Sequence, residues 1–231
     1  TDLRLRGTEP RHTLVLFDGI PLNGPWLGSF DFADLMGVGA GQVEIFGGPA
    51  SSLYGSGAAG GVIQILSAEG SGAGKGTVFA EYGEQSTLRQ GAIWRGRVSG
   101  ANASASASRL TSDGTGPRDG YEGLNGQLHL EIPAGPGRFR LSGLGTRGEK
   151  DLPYDFLYDF SDSTLSPRGS NKQVLDPNNR EEDRMLAASA AYDWRLSGRT
   201  FLEWELSDFS GRIENENSAN GGSATDYQKT R

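Results

Sequence analysis

Gly55, Gly57 and Gly60 fall at G-x-G-x-x-G spacing inside SSLYGSGAAGG, residues 51–61, the spacing with which a dinucleotide-binding turn approaches a pyrophosphate. That chemistry requires the glycines to join a strand to a helix whose N-terminal amides face the phosphate. Here VEIF precedes them and the β-branched run VIQIL follows. Both flanks read as strand, so nucleotide binding is not expected, and a close-packed turn in which backbone approaches backbone is the simpler reading. Other catalytic chemistry is thinly supplied. His12 and His129 are far apart in sequence and the chain has no cysteine, which argues against a His/Cys metal set. Neither Ser51 nor Ser52 stands in a G-x-S-x-G elbow, and no nucleophile and base or close pair of acids can be assigned, which makes an enzyme the weakest class.

The elements that position these residues fall into two textures. From Thr13 to about Ser67, TLVLF, QVEIF and GVIQIL are short, nearly continuous apolar runs separated by Gly, Pro and Ser, as buried strands of a compact mixed domain should be. Asp18-Gly19 predicts a hairpin turn with positive φ at both central residues, and DFADLM, residues 31–36, suits one short helical turn. EGSGAGKG, residues 69–76, reads as a flexible linker. Beyond it the period becomes two. Leu186, Ala188, Ala190, Tyr192, Trp194 and Leu196 share one parity, Leu128, Leu130 and Ile132 alternate with Gln127, His129 and Glu131, and residues 101–108 read ANASASAS. Strands are expected near 77–83, 86–98, 101–111, 124–133, 138–149, 183–196 and 200–211, with an eighth starting near Thr225. EEDRMLAASAAYDWRLSG has a helical rival, acidic at its start and closed by glycine, but its alternating neighbours favour strand.

Connections sharpen the picture. Tight links at 99–102, 133–137 and 197–199 alternate with long ones at 111–123 and about 150–180, apart from a first tight link at Glu84-Gln85. Short turns on one side, long loops on the other and strands of about ten residues with one apolar face are the pattern of an outer-membrane β-barrel; a soluble β-sandwich remains the alternative. The chain carries 22 basic against 29 acidic residues, so a general nucleic-acid surface is not expected. No run approaches the roughly 20 apolar residues of a membrane helix.

QVEIFGGPASSLYGSGAAGGVIQIL, residues 42–66, resembles the segment that closes the plug domain of TonB-dependent outer-membrane receptors, with Gly48, Pro49, Tyr54, Gly55, Gly60 and Gly61 as its signature. TLVLFDGIPLNGPWLGSFDFADL, residues 13–35, is similar to the middle of the same plug and most like the cobalamin-receptor branch, and residues 76–231 resemble the first third or so of the family's barrel. Gly47 stands where an arginine is usual before Gly-Pro, and Gln64 where asparagine is frequent. The resemblance implies a mainly β protein: a small α+β plug over 1–70, a linker over 71–76, and the first seven or eight antiparallel strands of a large transmembrane barrel over 77–231. A barrel of roughly 8 strands is filled by its own side chains, whereas one of about 22 can hold a plug. Most of the barrel is therefore expected downstream of Arg231, and the family's energy-coupling segment upstream of Thr1.

The same resemblance implies energy-coupled uptake of a scarce ligand across the outer membrane of a Gram-negative (diderm) bacterium. The implied partners are a TonB-type energy-coupling complex, outer-membrane lipid and a small-molecule ligand, with cobalamin or another corrinoid favoured and a ferric siderophore second. A non-transporting outer-membrane receptor or adhesin, or a soluble carbohydrate-binding β-protein, are the competing classes. The matching apical segment is Asn23–Phe30, where Trp26 and Phe30 are expected to stack on a ligand and Asn23 and Ser29 to hydrogen-bond it. Tyr154 and Tyr158 of DLPYDFLYDFSD, residues 151–162, are added to this set. Asp151, Asp155 and Asp159 of that loop are candidate calcium ligands, as the cobalamin branch suggests, since hard cations take oxygen; a solvated acidic loop is the alternative. No other cofactor is expected. Trp94, Trp194 and Trp204 are expected in interfacial belts.

Overall fold

A computed structural model describes residues 3–24, 28–32, 35, 39–116, 119–152, 154–157, 172–175, 180–196, 200–217 and 222–230, with the backbone alone for 154–157, 172–175, 215–217 and 222–230. The first sheet has four strands: β1 (Thr13–Phe17), β2 (Ile20–Pro21), β3 (Ala40–Phe46) and β4 (Gly61–Ser67). Their order is β2-β1-β4-β3, with β1 parallel to β4 and the other pairs antiparallel. The expected turn joins β1 to β2, with Asp18 at φ 45° and Gly19 at φ 89°. Of DFADLM, expected as a short helical turn, positions 33, 34 and 36 lie outside the described residues.

The unbroken apolar runs of β1 and β4 follow from burial on both faces. QVEIF, expected to be buried, is instead the edge strand β3, with Val43, Ile45 and Phe46 exposed because one side of it has no neighbouring strand among the described residues. Val15, Phe17, Ile63 and Ile65 enter one core, while Leu14, Leu16 and Val62 enter another with Ala50 and Ala58. The 3-10 turn at Ser56–Ala58 supplies Ala58 to the second core, while α1 (Ser51–Tyr54) before it stays exposed. Here the glycine motif finds its use. A Cβ on Gly60 would collide with Thr8 and the His12 carbonyl, and one on Gly61, at φ +147°, with the Phe46 carbonyl. The segment therefore brings backbone against backbone between strands, with no phosphate-facing helix. Beside Gly47 the space is taken by the Arg6 guanidinium, whose Nε lies 3.6 Å from where a Cβ would stand.

The second sheet is an eight-stranded antiparallel wall. It comprises β5 (Lys75–Tyr82), β6 (Leu88–Val98), β7 (Ala101–Ser112), β8 (Tyr121–Ala134), β9 (Gly137–Asp151), β12 (Arg180–Arg195), β13 (Phe201–Asn217) and β14 (Gly222–Thr230). The helical rival over β12 is a strand of 16 residues. Between β9 and β12, β10 (Tyr154–Leu157) and β11 (Lys172–Leu175) form a separate two-stranded ladder, so the long loop expected there carries a hairpin of its own. Several strands outrun their expected bounds: β13 continues to Asn217 through the polar RIENEN. Backbone pairing does not require an apolar side chain, and pairs such as Arg212 with Glu214 supply the side chains at that end.

One face of the wall meets the plug sheet. Leu144, Ala187 and Phe209 complete the core around Phe17, and Ser104, Ser106, Ser108, Asn125, Gln127, His129, Glu131, Ser142 and Thr146 are buried beside it. The opposite face exposes Leu124, Leu128, Ile132, Phe139, Leu141, Leu186, Leu202, Trp204 and Leu206. ANASASAS thus reads as alanines outward and serines toward the plug. Register places Ile132, Phe139, Tyr192 and Trp204 in one row across four strands, with the Phe139 and Tyr192 rings 4.6 Å apart. This row and Trp194 lie near the short turns, as an interfacial aromatic belt would. Trp94 shares the outward parity and packs against Gly74.

Candidate functional site

Because the tight turns close one end of the wall, the ends of β9, β12 and β13 next to the long connections define the other. There Leu22, Gly24, Ser29, Phe30 and Asp31 face the wall across a cavity of about 280 Å³. Its floor is apolar: Leu22, Phe30, Met185, Phe209 and Ile213. Its polar side is a cluster on Lys150, whose Nζ lies 3.1 Å from both Asp31 Oδ2 and Asp183 Oδ2 and 3.6 Å from Glu181 Oε1. Three carboxylates against one ammonium leave this side acidic. Arg184 and Arg212 also line the cavity, but their guanidiniums pair with Glu182 and Glu214.

Asn23, expected to hydrogen-bond a ligand, is engaged within the plug. Its Oδ1 accepts from the Val15 amide at 2.7 Å, and its Nδ2 donates to the Thr13 and Gly28 carbonyls at 2.9 and 2.7 Å. This side chain ties the apical segment to β1 and holds the cavity's shape. Phe30, expected to stack on a ligand, is 7% exposed and packs edge-on to Phe32 at 5.2 Å; it forms floor, with no free ring face offered. Ser29 lines the cavity, and its carbonyl accepts from the Gly24 amide. Trp26, Tyr158 and Asp159 lie outside the described residues, and Tyr154 and Asp155 are described by backbone alone, in β10.

Asp151, one of the candidate calcium ligands, has its carboxylate 3.5 Å from the Arg180 guanidinium. Strand parity separates it from the inward-facing Lys150. Among the described residues no group of three or more His, Asp or Glu side chains is arranged to hold a metal ion.

The cluster of Asp31, Lys150, Glu181 and Asp183 was not singled out by motif reading. A signal for part of it exists in the alternation: Lys150, Glu181 and Asp183 share the parity of the plug-facing residues and lie at strand ends beside the longest connection. Asp31 carries no such signal, because its partner is 119 residues away.

A second, charged cleft lies toward the short turns. Asp18, Gly19, Gln64 and Ser67 of the plug face His129, Glu131, Arg138, Arg140, Glu203 and Glu205 of the wall across about 270 Å³. Asp193 bridges Arg138 at 2.8 Å and Arg140 at 3.0 Å, and Arg140 also pairs with Glu203.

Residues 1–62 match the TonB-dependent Receptor Plug Domain family. The chain is similar to the Vitamin B12 transporter BtuB of Photobacterium profundum, at 29% identity over 89% of this chain and 37% of that protein. It is also similar to the Ferric enterobactin receptor of Pseudomonas aeruginosa, at 27% identity over 94% of this chain and 26% of that protein. Among solved structures, the Ferric-Catecholate import receptor Fiu from E. coli K12 shares the fold with a TM-score of 0.70 at 14% identity, over 93% of this chain and 34% of that one. The chain thus spans well under half the length of these relatives.

Proposed function

Since the chain belongs to the TonB-dependent receptors of the Gram-negative outer membrane, carrying plug domain and barrel strands of that family, we propose that it is part of a transporter, not an enzyme, that takes up a scarce small molecule. The wall lies in lipid, the plug fills the lumen, and a TonB-type complex supplies the work that moves the plug. The outward apolar face, with its aromatic row near the short turns, supports the placement in lipid.

The ligand we favour is a corrinoid. The observation that carries this reading is the charge of the apical cavity: an apolar floor beneath Asp31, Glu181 and Asp183, which face Lys150, while the lining arginines Arg184 and Arg212 pair with Glu182 and Glu214. A ferric catecholate is polyanionic and would meet like charge at short range in a partly desolvated site, where repulsion is strong. A corrinoid presents a broad apolar ring edged by neutral amides, which hydrogen-bond to carboxylates and lie on an apolar floor without that penalty. The names of relatives divide between a vitamin B12 transporter and a ferric enterobactin receptor, so our preference between the two rests on the charge argument.

The test uses the full-length receptor in a strain lacking other receptors for the two ligands. Energy-dependent uptake of labelled cobalamin, with weak or no uptake of ferric enterobactin, is the expected result. Replacing Asp31 and Asp183 together by asparagine should reduce discrimination against the ferric chelate by about tenfold or more, the equivalent of roughly 1.4 kcal/mol. Preferential uptake of ferric enterobactin by the unaltered receptor would overturn the ligand assignment and leave transport standing. High-affinity binding without uptake, in cells with a working energy-coupling complex, would favour a non-transporting receptor.

A further inference from the structure

The contact between plug and wall is mostly polar, and one ionisable pair lies inside it. Asp18 belongs to the β1-β2 turn and His129 to the inward face of β8. Their side chains are only 8% and 10% exposed, and His129 Nδ1 lies 3.4 Å from Asp18 Oδ2. That is an ion-pair distance, longer than a strong charged hydrogen bond. His129 Nδ1 also lies 2.9 Å from Ser142 Oγ on β9, while Asp18 Oδ1 accepts from the Ser67 amide at 2.8 Å. One carboxylate thus joins the hairpin turn, the end of β4 and the barrel wall. Among the described residues its Oδ2 has no hydrogen-bond partner of its own, and the neighbouring Ser67 Oγ and Gln127 Oε1 are likewise buried without one.

We propose that Asp18 and His129 form a protonation-dependent latch between plug and wall, closed while the imidazole carries its proton and weakened when it loses it. The proposal rests on the plug-and-barrel reading and is independent of the ligand. Histidine is the side chain whose ordinary titration falls between pH 5 and 8. When His129 is neutral, the buried carboxylate faces an imidazole with no compensating charge, a costly arrangement in a site with little water. The charged cleft described above connects this pair with the short-turn side, giving protons a polar route. Other charged groups face the pair: Glu131 on β8, Arg138 and Arg140 on β9, Glu203 and Glu205 on β13, Arg95 on β6, and Glu69 after β4. Arg138 and Arg140 are both held by Asp193, so they do not replace His129 as the partner of Asp18.

Asp18 is also held below the usual carboxylate range. Burial pushes it upward, but the adjacent His129 imidazole and the hydrogen bond from Ser67 outweigh that. The carboxylate is therefore the fixed charge of the pair, and the imidazole is the switching partner.

Hydrogen exchange of the full-length receptor in detergent, followed on peptides covering 13–22 and 61–67 and corrected for intrinsic rates, tests the latch. Plug opening should be on the order of tenfold rarer at pH 5.5 than at pH 8.5, the scale of one unit of proton linkage. His129→Gln should flatten that profile. Asp18→Asn should flatten it too, while keeping the carbonyl that accepts from Ser67 and a residue tolerant of positive φ; the double variant should add nothing further. An unaltered receptor with the same opening at both pH values overturns the proposal, as does either single variant that keeps the wild-type profile. If His129→Gln fails to assemble, Asp18→Asn decides the matter, because it leaves every barrel strand unaltered. Failure of ligand uptake would bear on the proposed function and leave this profile untouched.

Discussion

In the plug, β1 buries all five of its residues, four of them apolar; in the wall, β7 buries serines and leaves Ala105 and Ala107 exposed. Both are strands in hydrogen-bonded sheets, so the backbone does not account for the difference. The plug strand has protein on both sides and excludes water from both. The wall strand has protein on one side and an apolar surface open on the other, which is the arrangement of a sheet whose second solvent is lipid. Where the two sheets meet, most wall side chains described are small or polar, and the apolar contact centres on Leu144, Met185, Ala187 and Phe209. A plug with its own core, resting on a largely polar wall, can be held firmly in itself and loosely by its surroundings. That is the mechanical requirement of a removable part.

The contrast can be broken from either side. Phe17, 0% exposed at the centre of the core, should be the most costly plug residue to truncate. Phe17→Ala is expected to destabilise the plug by about 3–5 kcal/mol, read as a lower urea midpoint for exchange protection of β1, while the barrel stays heat-modifiable. Equal loss of plug and barrel would mean that the two sheets fold as one unit. Leu128, 48% exposed at mid-height of β8, should behave in the opposite way. Leu128→Arg is expected to cost the barrel about 2–4 kcal/mol in lipid, seen as reduced yield of folded barrel in outer-membrane vesicles; normal yield would argue that this face does not meet lipid.

Smaller effects sharpen the interface. Gly39 has φ +87°, and a Cβ there would run into Ser106 and Gln127 of the wall. Gly39→Ala should therefore loosen docking by about 1–3 kcal/mol, measured as increased exchange at the end of β4 with barrel yield unchanged. Asp18 provides the finest probe. Its folded-state titration is depressed, so its contribution is present above the unfolded carboxylate value of about 4 and is lost as pH falls through the lower folded value. The plug of the unaltered receptor should lose stability on acidification below about pH 4 more steeply than that of Asp18→Asn; parallel acid curves would remove Asp18 from the account.

Much of the architecture was legible because alternation reports environment one residue at a time. The wall strands β5 to β9, β12 and β13 and the Asp18-Gly19 turn follow from period and turn chemistry alone, and the glycine motif was separated from a nucleotide turn by its flanks. The hairpin β10-β11 was not legible, since DLPYDFLYDFSD has the composition of an acidic loop and its pairing partner lies beyond it. The site was read only in outline. Asn23 and Ser29 lie on the segment that borders the cavity, yet Asn23 is committed to Thr13, Val15 and Gly28. A sequence lists the hydrogen-bonding capacity of an amide without saying where that capacity is used.

What the sequence determined by itself is which face of each strand is apolar, where the chain turns, and which family's plug it resembles, because these depend on neighbours a few residues away. What only the tertiary structure decided is which side chains meet: Lys150 with Asp31 across 119 residues, and His129 with Asp18 across the seam between two sheets. Charges act through space, and inside a protein their strength depends on what else is excluded from that space. Neither quantity is written in the order of residues until the chain has folded.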